Sequence, residues 1–232
     1  MNIIDKNLQQ NAYELKNIGY LRINNFLEDD FAERIHNCLI NDVDWGLTCI
    51  VDGISEVFLK TEDVDQLDLS IIDQINNLQK EDKFQFIYNT YMMVTAYIEK
   101  RNPELYLNKV LEWLNSAATL SYFKDLTKNN KILKFNVQAT RYLPGHYLTQ
   151  HSDIHSGEGR LYACVIGLTK NWNPDWGGLL HILDKDGNIV KTMTPKFNSL
   201  SIFKVPQNHF VSMVTPRAQS QRLAITGWLQ AK

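Results

Sequence analysis

Apolar residues recur at helical spacing through the first half of the chain and at strand spacing through the second. Between Asp5 and Ile18, Leu8, Ala12 and Leu15 mark one face of a helix that Gly19 is placed to end. Tyr20–Phe26 predicts a short strand, and Phe31, Ile35 and Leu39 predict a second helix over Asp29–Asn41. Further helices are expected over Leu67–Gln79, Phe84–Arg101 and Glu104–Asn115, the last two separated by Pro103, with a short one near Leu120–Leu126.

From about residue 131 the pattern changes to short β-type runs: Ile132–Leu143, Arg160–Thr169, Leu179–Asp184, Ile189–Thr194, Leu200–Val205, Phe210–Val214 and Arg222–Leu229. Pro144-Gly145, Gly157-Glu158-Gly159, Asn173-Pro174, Asp186-Gly187-Asn188 and Pro195 punctuate them. Seven or eight strands in about 100 residues predict a sandwich, jelly roll or barrel. Helices first and strands later predict an α+β arrangement, with the helices buttressing one face of the β core. No repeat and no Gly/Ser/Pro-rich linker divides the chain, so 1–232 is expected to be one domain, with 1–130 as helical support and 131–232 as the β core.

Composition narrows the function classes. The 232 residues are 44% hydrophobic and 11% aromatic, which suits a substantial core and excludes disorder. With 24 Lys+Arg against 26 Asp+Glu, nothing favours nucleic acid or an anionic membrane as a partner. Cys38, Cys49 and Cys164 are odd in number and widely spaced, without a CxxC pair, which favours a reducing compartment. No apolar run approaches the roughly 18 residues of a membrane helix, and the Met-Asn-Ile-Ile-Asp-Lys start lacks the pattern of a secretory signal. A cytoplasmic protein is expected.

His151-Ser152-Asp153 follows an apparent strand. In an extended backbone, residues i and i+2 share a face, so both side chains can aim into one cavity. His209, opening a later strand, offers a third ligand. Two imidazoles and a carboxylate on one face of an octahedron bind non-haem Fe(II) and leave three positions open. A loop histidine with ordinary partners is the bland reading of His151. In the final run, strand alternation places Arg222, Ala224, Thr226 and Trp228 on a common face. A cation on a largely apolar strand needs an anion: a ligand carboxylate, or a structural Asp or Glu.

Taken in order, Tyr142-Leu143-Pro144-Gly145, His151-Ser152-Asp153, Gly159-Arg160, Trp176-Gly177-Gly178, Pro195-Lys196-Phe197-Asn198, His209 and Arg222-x-x-x-Thr226-x-Trp228 resemble the Fe(II)/2-oxoglutarate dioxygenases. The resemblance is greatest to the prolyl 4-hydroxylase-like group, including the oxygen-sensing and ribosomal-protein prolyl hydroxylases, and spans about residues 131–230. It implies a double-stranded β-helix (jelly-roll) core. It makes His151, Asp153 and His209 the iron ligands and Arg222 the holder of the distal carboxylate of 2-oxoglutarate. It places Tyr142, Thr226 and Trp228 in the cosubstrate pocket and Arg160 near the substrate entrance. Fe(II), 2-oxoglutarate and O₂ are the implied cofactors, with ascorbate as an accessory reductant. The implied reaction hydroxylates an unactivated C–H bond, with a prolyl residue of a protein as leading substrate, and releases succinate and CO₂.

Departures are visible. Gly167 stands where some relatives carry a second cosubstrate-binding tyrosine, so fewer groups are expected around the carboxylate, and His209 and Arg222 lie 13 residues apart, implying a long turn. Asp153 argues against the related halogenases. Hydroxylation of a free amino acid or other small molecule remains an alternative, as does a non-catalytic metal-binding barrel. Gly145-x5-His151-x-Asp153-x4-Glu158 comes near a cupin motif, but no second cupin motif follows. His155 could join a zinc cluster that nothing else supports, and His146 and His181 are expected to be structural. Asp184–Asn188 is expected to be a hairpin turn and not a calcium loop. Trp172 and Trp176 are expected to pack, Tyr91–Tyr97 to form a buried helix face, and the loops Gly46–Thr61 and Asn171–Trp176 to set how open the substrate groove is.

Overall fold

The first helix, α1 (Leu8–Ile18), ends at Gly19, which adopts φ +89° and donates its N–H to the Leu15 carbonyl. This left-handed turn is accessible to glycine at little steric cost. It redirects the chain into strand β1 (Tyr20–Asn24), which leads to α2 (Asp29–Asn41), whose Phe31, Ala32, Ile35, Cys38 and Leu39 are buried as the helical spacing predicts. The computed structural model describes residues 2–51, 55–59 and 83–232. The remaining elements are β2 (Gly46–Val51), β3 (Ser55–Leu59), β4 (Phe86–Tyr91), α3 (Met93–Ile98), α4 (Tyr106–Leu114), α5 (Ala117–Thr127), β5 (Lys134–Tyr142), β6 (Tyr147–His151), β7 (Arg160–Gly167), β8 (Leu180–Leu183), β9 (Ile189–Met193), β10 (Ser199–Lys204), β11 (His209–Val211) and β12 (Arg222–Gln230).

The strands form one curled antiparallel sheet in the order β1-β10-β7-β12-β5-β4-β6-β11-β8-β9, with the β2–β3 hairpin attached to β4. Strand β12 shows how the two cores divide. Leu223, Ile225 and Leu229 point to the helices, joining Phe135, Val137, Cys164 and Ile166 against Leu107, Leu114, Phe123 and Leu126. Each such side chain contributes roughly 1.5–3 kcal/mol by leaving water. The opposite face turns inward. There Tyr142, Ala163 and Phe203 of one layer meet Leu180, Ile182 and Val211 of the other in a second, smaller core. This is the double-stranded β-helix with helical buttressing that the residue order implies, and the cavity between its layers is where the polar residues collect.

Two expectations are corrected. Phe84–Arg101 is not a helix: its first part is strand β4, which pairs with β2, β5 and β6 and so joins the two layers. Its Phe84, Phe86 and Tyr88 rings lie in successive tilted contacts at 5.7 and 5.4 Å, a period of two on an aromatic and β-branched run, and only Met93–Ile98 is helical. Within Gly46–Thr61, residues 46–51 and 55–59 are the strands of a hairpin and not a loop. The expected Leu67–Gln79 helix lies outside the described residues.

His146 is structural, as expected. Its Nδ1 accepts the Leu143 N–H at 3.2 Å in the turn between β5 and β6, and burial pushes its pKa down to about 4. The unfolded chain takes up this proton near pH 6.5, so folding stability falls as pH drops from 6.5 toward 4. Between pH 7.5 and 5 the loss attributable to His146 is about 2 kcal/mol. Urea unfolding at both pH values should show that His146→Gln loses less stability than the wild type on acidification.

Candidate metal centre

Strands β6 and β11 pair so that His209 lies directly opposite His151, with their ring centroids 4.1 Å apart. His151 is the last residue of β6. Two residues on, Asp153 adopts φ +60°, a left-handed conformation that aspartate tolerates better than most residues. The reversal carries its carboxylate back between the imidazoles: Oδ1 is 3.3 Å from His151 Nε2 and Oδ2 is 3.5 Å from His209 Nε2. The side chains of His151 and Asp153 therefore converge through a turn and not through strand alternation, a correction to the expected geometry.

The hydrogen bonds define what these groups can do. His151 Nδ1 lies 2.9 Å from the Thr149 carbonyl and His209 Nδ1 lies 2.7 Å from the Gln207 carbonyl. A carbonyl only accepts, so each Nδ1 carries the hydrogen. Burial pushes His209 down to about 4, which leaves its Nε2 bare at neutral pH. Burial alone would raise the Asp153 carboxyl, but the adjoining imidazoles hold it below its ordinary range, so it is an anion. Lone-pair atoms of all three residues thus lie within 4.8 Å of one another. A cation placed among them would meet all three, and Nδ1–H bonds to the backbone are how metal-binding histidines are oriented. The donor set fits Fe(II).

Phe203 packs 4.5 Å from the His209 ring and Phe84 5.4 Å from His151, forming apolar walls. Arg160 lies with its guanidinium 3.7 Å over the Trp228 ring, pairs with Glu158 at 2.8 Å and approaches Asp153 at 3.8 Å. It is thus closer to the triad than a position at the entrance implies. Among the described residues, the buried Trp228 Nε1 has no hydrogen-bond partner.

Arg222 opens β12 opposite Tyr142 and sits over its ring at 4.5 Å. It is only 5% exposed, and no carboxylate among the described residues pairs with it. Burial pushes the Tyr142 hydroxyl up to about 12, against the pull of the neighbouring guanidinium. Thr226 stands two positions along the same face, between Val165 and Gln138. A residue that sequence reasoning passed over also reaches this interior: Arg22 of β1 lines the same cavity as Arg222. The available signal was a cation between the core-facing Leu21 and Ile23. His155, by contrast, is largely exposed and pairs with Glu158 at 3.7 Å, outside the cluster. His181 stacks on Phe210, and Trp172 packs edge-on against Trp176 at 5.3 Å. The Asp184 carboxylate accepts the N–H groups of Asp186 and Asn188 within the β8–β9 turn.

Residues 137–230, which contain the triad and Arg222, match the 2OG-Fe(II) oxygenase superfamily. That match covers the β core and not the N-terminal half of the chain. The family works with Fe(II), 2-oxoglutarate and O₂, and the residues brought together here suit the first two. The chain is 26% identical over 202 residues to prolyl 3-hydroxylase OGFOD1 of Mus musculus, covering 83% of this chain and 34% of that protein. It is 36% identical over 78 residues to the Xenopus laevis protein of the same name, covering 31% and 15%. The chain therefore spans about a third or less of the length of these curated relatives. Its fold is shared with a 2OG-Fe(II) oxygenase family oxidoreductase from Burkholderia pseudomallei, at a TM-score of 0.64 and 13% identity, covering 100% of this chain and 94% of that one. A Pseudomonas putida prolyl-4-hydroxylase gives a TM-score of 0.55 at 17% identity, covering 97% and 99%. A prolyl hydroxylase from Trichoplax adhaerens, solved with a peptide fragment of hypoxia inducible factor, gives 0.54 at 18%, covering 98% and 94%. No helix among the described residues is long and apolar enough to cross a membrane.

Proposed function

We propose that the chain is an Fe(II)- and 2-oxoglutarate-dependent dioxygenase that hydroxylates a prolyl residue of a protein or peptide and releases succinate and CO₂. The observation that carries this reading is a converging set of lone-pair donors from His151, Asp153 and His209 within a fold whose inner face also holds a buried, carboxylate-free Arg222. The substrate class rests on the prolyl hydroxylases among the relatives.

His151, Asp153 and His209 would hold the iron, a donor set of three protein ligands that suits a metal also binding cosubstrate. Fe(II), when bound with 2-oxoglutarate and O₂, supplies the oxidising chemistry that converts C–H to C–OH. Arg222 holds the distal carboxylate of 2-oxoglutarate, with Tyr142 beside it and Thr226 and Trp228 completing that wall. Tyr142 is a phenol at neutral pH, and its hydroxyl can donate to a carboxylate as the guanidinium does. Phe203 and the apolar residues of the inner core exclude water, which strengthens these charge-assisted contacts. Arg160, held by Glu158 and Trp228, is the candidate substrate-facing residue.

The chain works as one unit in this reading. Strand β1 pairs with β10 and β4 inserts between β5 and β6, so residues before 131 complete the sheet that carries the site. Cys38, Cys49 and Cys164 are free and buried, which supports a reducing, cytoplasmic setting.

The test is an anaerobic titration of metal-free protein with Fe(II) and then 2-oxoglutarate, followed by aerobic incubation with proline-containing peptides. A saturable visible charge-transfer band, coupled succinate release and a +16 Da shift on a prolyl residue are expected. Iron binding without the band would overturn the cosubstrate assignment. Turnover with free amino acids alone would overturn the peptide assignment.

A further inference from the structure

Two arginines face one small cavity on the inner side of the sheet. The strand register explains how Arg22, from the edge strand β1, arrives there. Arg22 pairs with Ser201 of β10, Ser201 with Val165 of β7, and Val165 with Thr226 of β12, so these four side chains form one row across the inner face. Arg22 and Arg222 line the cavity together with Gly167, Ser201 and Ala224, and none of the residues lining it is acidic.

Arg22 is positioned by its neighbours. Its Nη1 donates to the Thr194 carbonyl at 2.7 Å and its Nε to Ser201 Oγ at 3.1 Å. Its Nη2 group has no protein partner among the described residues. Burial and the adjacent Arg222 charge pull Arg22 down to about 10, the mark of a cation that lacks an anion and faces a like charge. Two guanidiniums directed at one water-poor space raise the energy of the ligand-free site, and one carboxylate between them removes both penalties. Several residues around the cavity, Gly167, Ser199, Ser201 and Ala224, are small. At Gly167 a Cβ would overlap the Lys196 carbonyl oxygen, so no side chain can intrude from that position.

We propose that Arg22 is a second cosubstrate-binding residue, sharing the distal carboxylate of 2-oxoglutarate with Arg222. This rests on the dioxygenase reading above and extends it by making β1 part of the pocket. It also replaces the expectation from Gly167 that fewer groups surround the carboxylate. The consequence is specificity: a five-carbon 2-oxo acid without the terminal carboxylate, such as 2-oxopentanoate, gains nothing from either arginine.

The experiment compares wild-type protein, Arg22→Met, Arg22→Gln and Arg22→Lys, each loaded anaerobically with Fe(II) and titrated with 2-oxoglutarate and with 2-oxopentanoate. The visible band gives the dissociation constants, and iron affinity is measured separately. Loss of one charge-assisted contact predicts about tenfold or more weaker 2-oxoglutarate binding in the Met and Gln variants. Binding of 2-oxopentanoate and iron should stay within about twofold, and Lys should recover part of the loss. Arg22→Gln keeps a donor for the Thr194 carbonyl and therefore separates charge from local structure. Equal weakening of both acids, or unchanged 2-oxoglutarate affinity, would overturn the proposal. Absence of any band in the wild type would instead remove the dioxygenase reading on which it rests.

Discussion

Asp153→Ala is expected to abolish iron binding and to lower turnover by at least ~1000-fold, while the metal-free protein keeps its fold. In the proposed site the carboxylate is the anionic ligand; it lies within 3.5 Å of both imidazole Nε2 atoms, and removing it leaves two imidazoles with nothing to offset the metal's charge. Stability responds differently. In the metal-free protein the Asp153 anion is 8% exposed, so its loss removes the cost of burying a charge. Against that relief, alanine at φ +60° costs about 1–2 kcal/mol. The net change in unfolding free energy should lie within about 1 kcal/mol. Metal analysis after Fe(II) loading, urea unfolding and succinate release measure the three quantities. Asp153→Asn, which tolerates the left-handed conformation better, separates backbone strain from loss of charge. Retained iron affinity in Asp153→Ala would remove Asp153 from the ligand set.

Arg222→Met should weaken 2-oxoglutarate binding by roughly 100-fold or more and leave the ligand-free protein as stable as the wild type, or more stable. Both signs follow from the same observation. Arg222 is buried at the start of β12 with the Tyr142 ring beneath it and no carboxylate partner among the described residues. A buried guanidinium without an anion is a cost of several kcal/mol to the empty fold, and methionine fills similar volume without it. In the proposed cosubstrate complex that cation would meet the distal carboxylate, and its loss would remove a charge-assisted contact. Thermal melts without and with saturating 2-oxoglutarate should therefore move in opposite directions relative to wild type. If Arg222→Met destabilises the ligand-free protein by several kcal/mol, Arg222 is structural and the pocket assignment fails.

Much of this architecture is legible along the chain because short-range rules govern it. Gly19 ends α1, the 3.6-residue spacing of Phe31, Ile35 and Leu39 builds the buried face of α2, and eight strands follow residue 131 as their alternation and turn residues predict. The ordered residues from Tyr142 through His151, Asp153 and His209 to Arg222 and Trp228 carried the resemblance to the Fe(II)/2-oxoglutarate dioxygenases, and residues 137–230 match that superfamily. What the sequence by itself determined is therefore the set of elements and the identity of the chemical groups. The tertiary structure decided how those groups meet. Strand β4 sits in a segment whose aromatic residues suit a helix face as well as a strand, and only pairing on both sides with β5 and β6 resolves it. Asp153 joins the two histidines through a backbone reversal after β6, while His209 arrives from 58 residues further along the chain through pairing with β6. Arg22 enters the same interior from 200 residues before Arg222, through a register running across three strands. Spacing along the chain carries no information about such approaches, because a contact between distant residues is set by which strand edges pair and in what register.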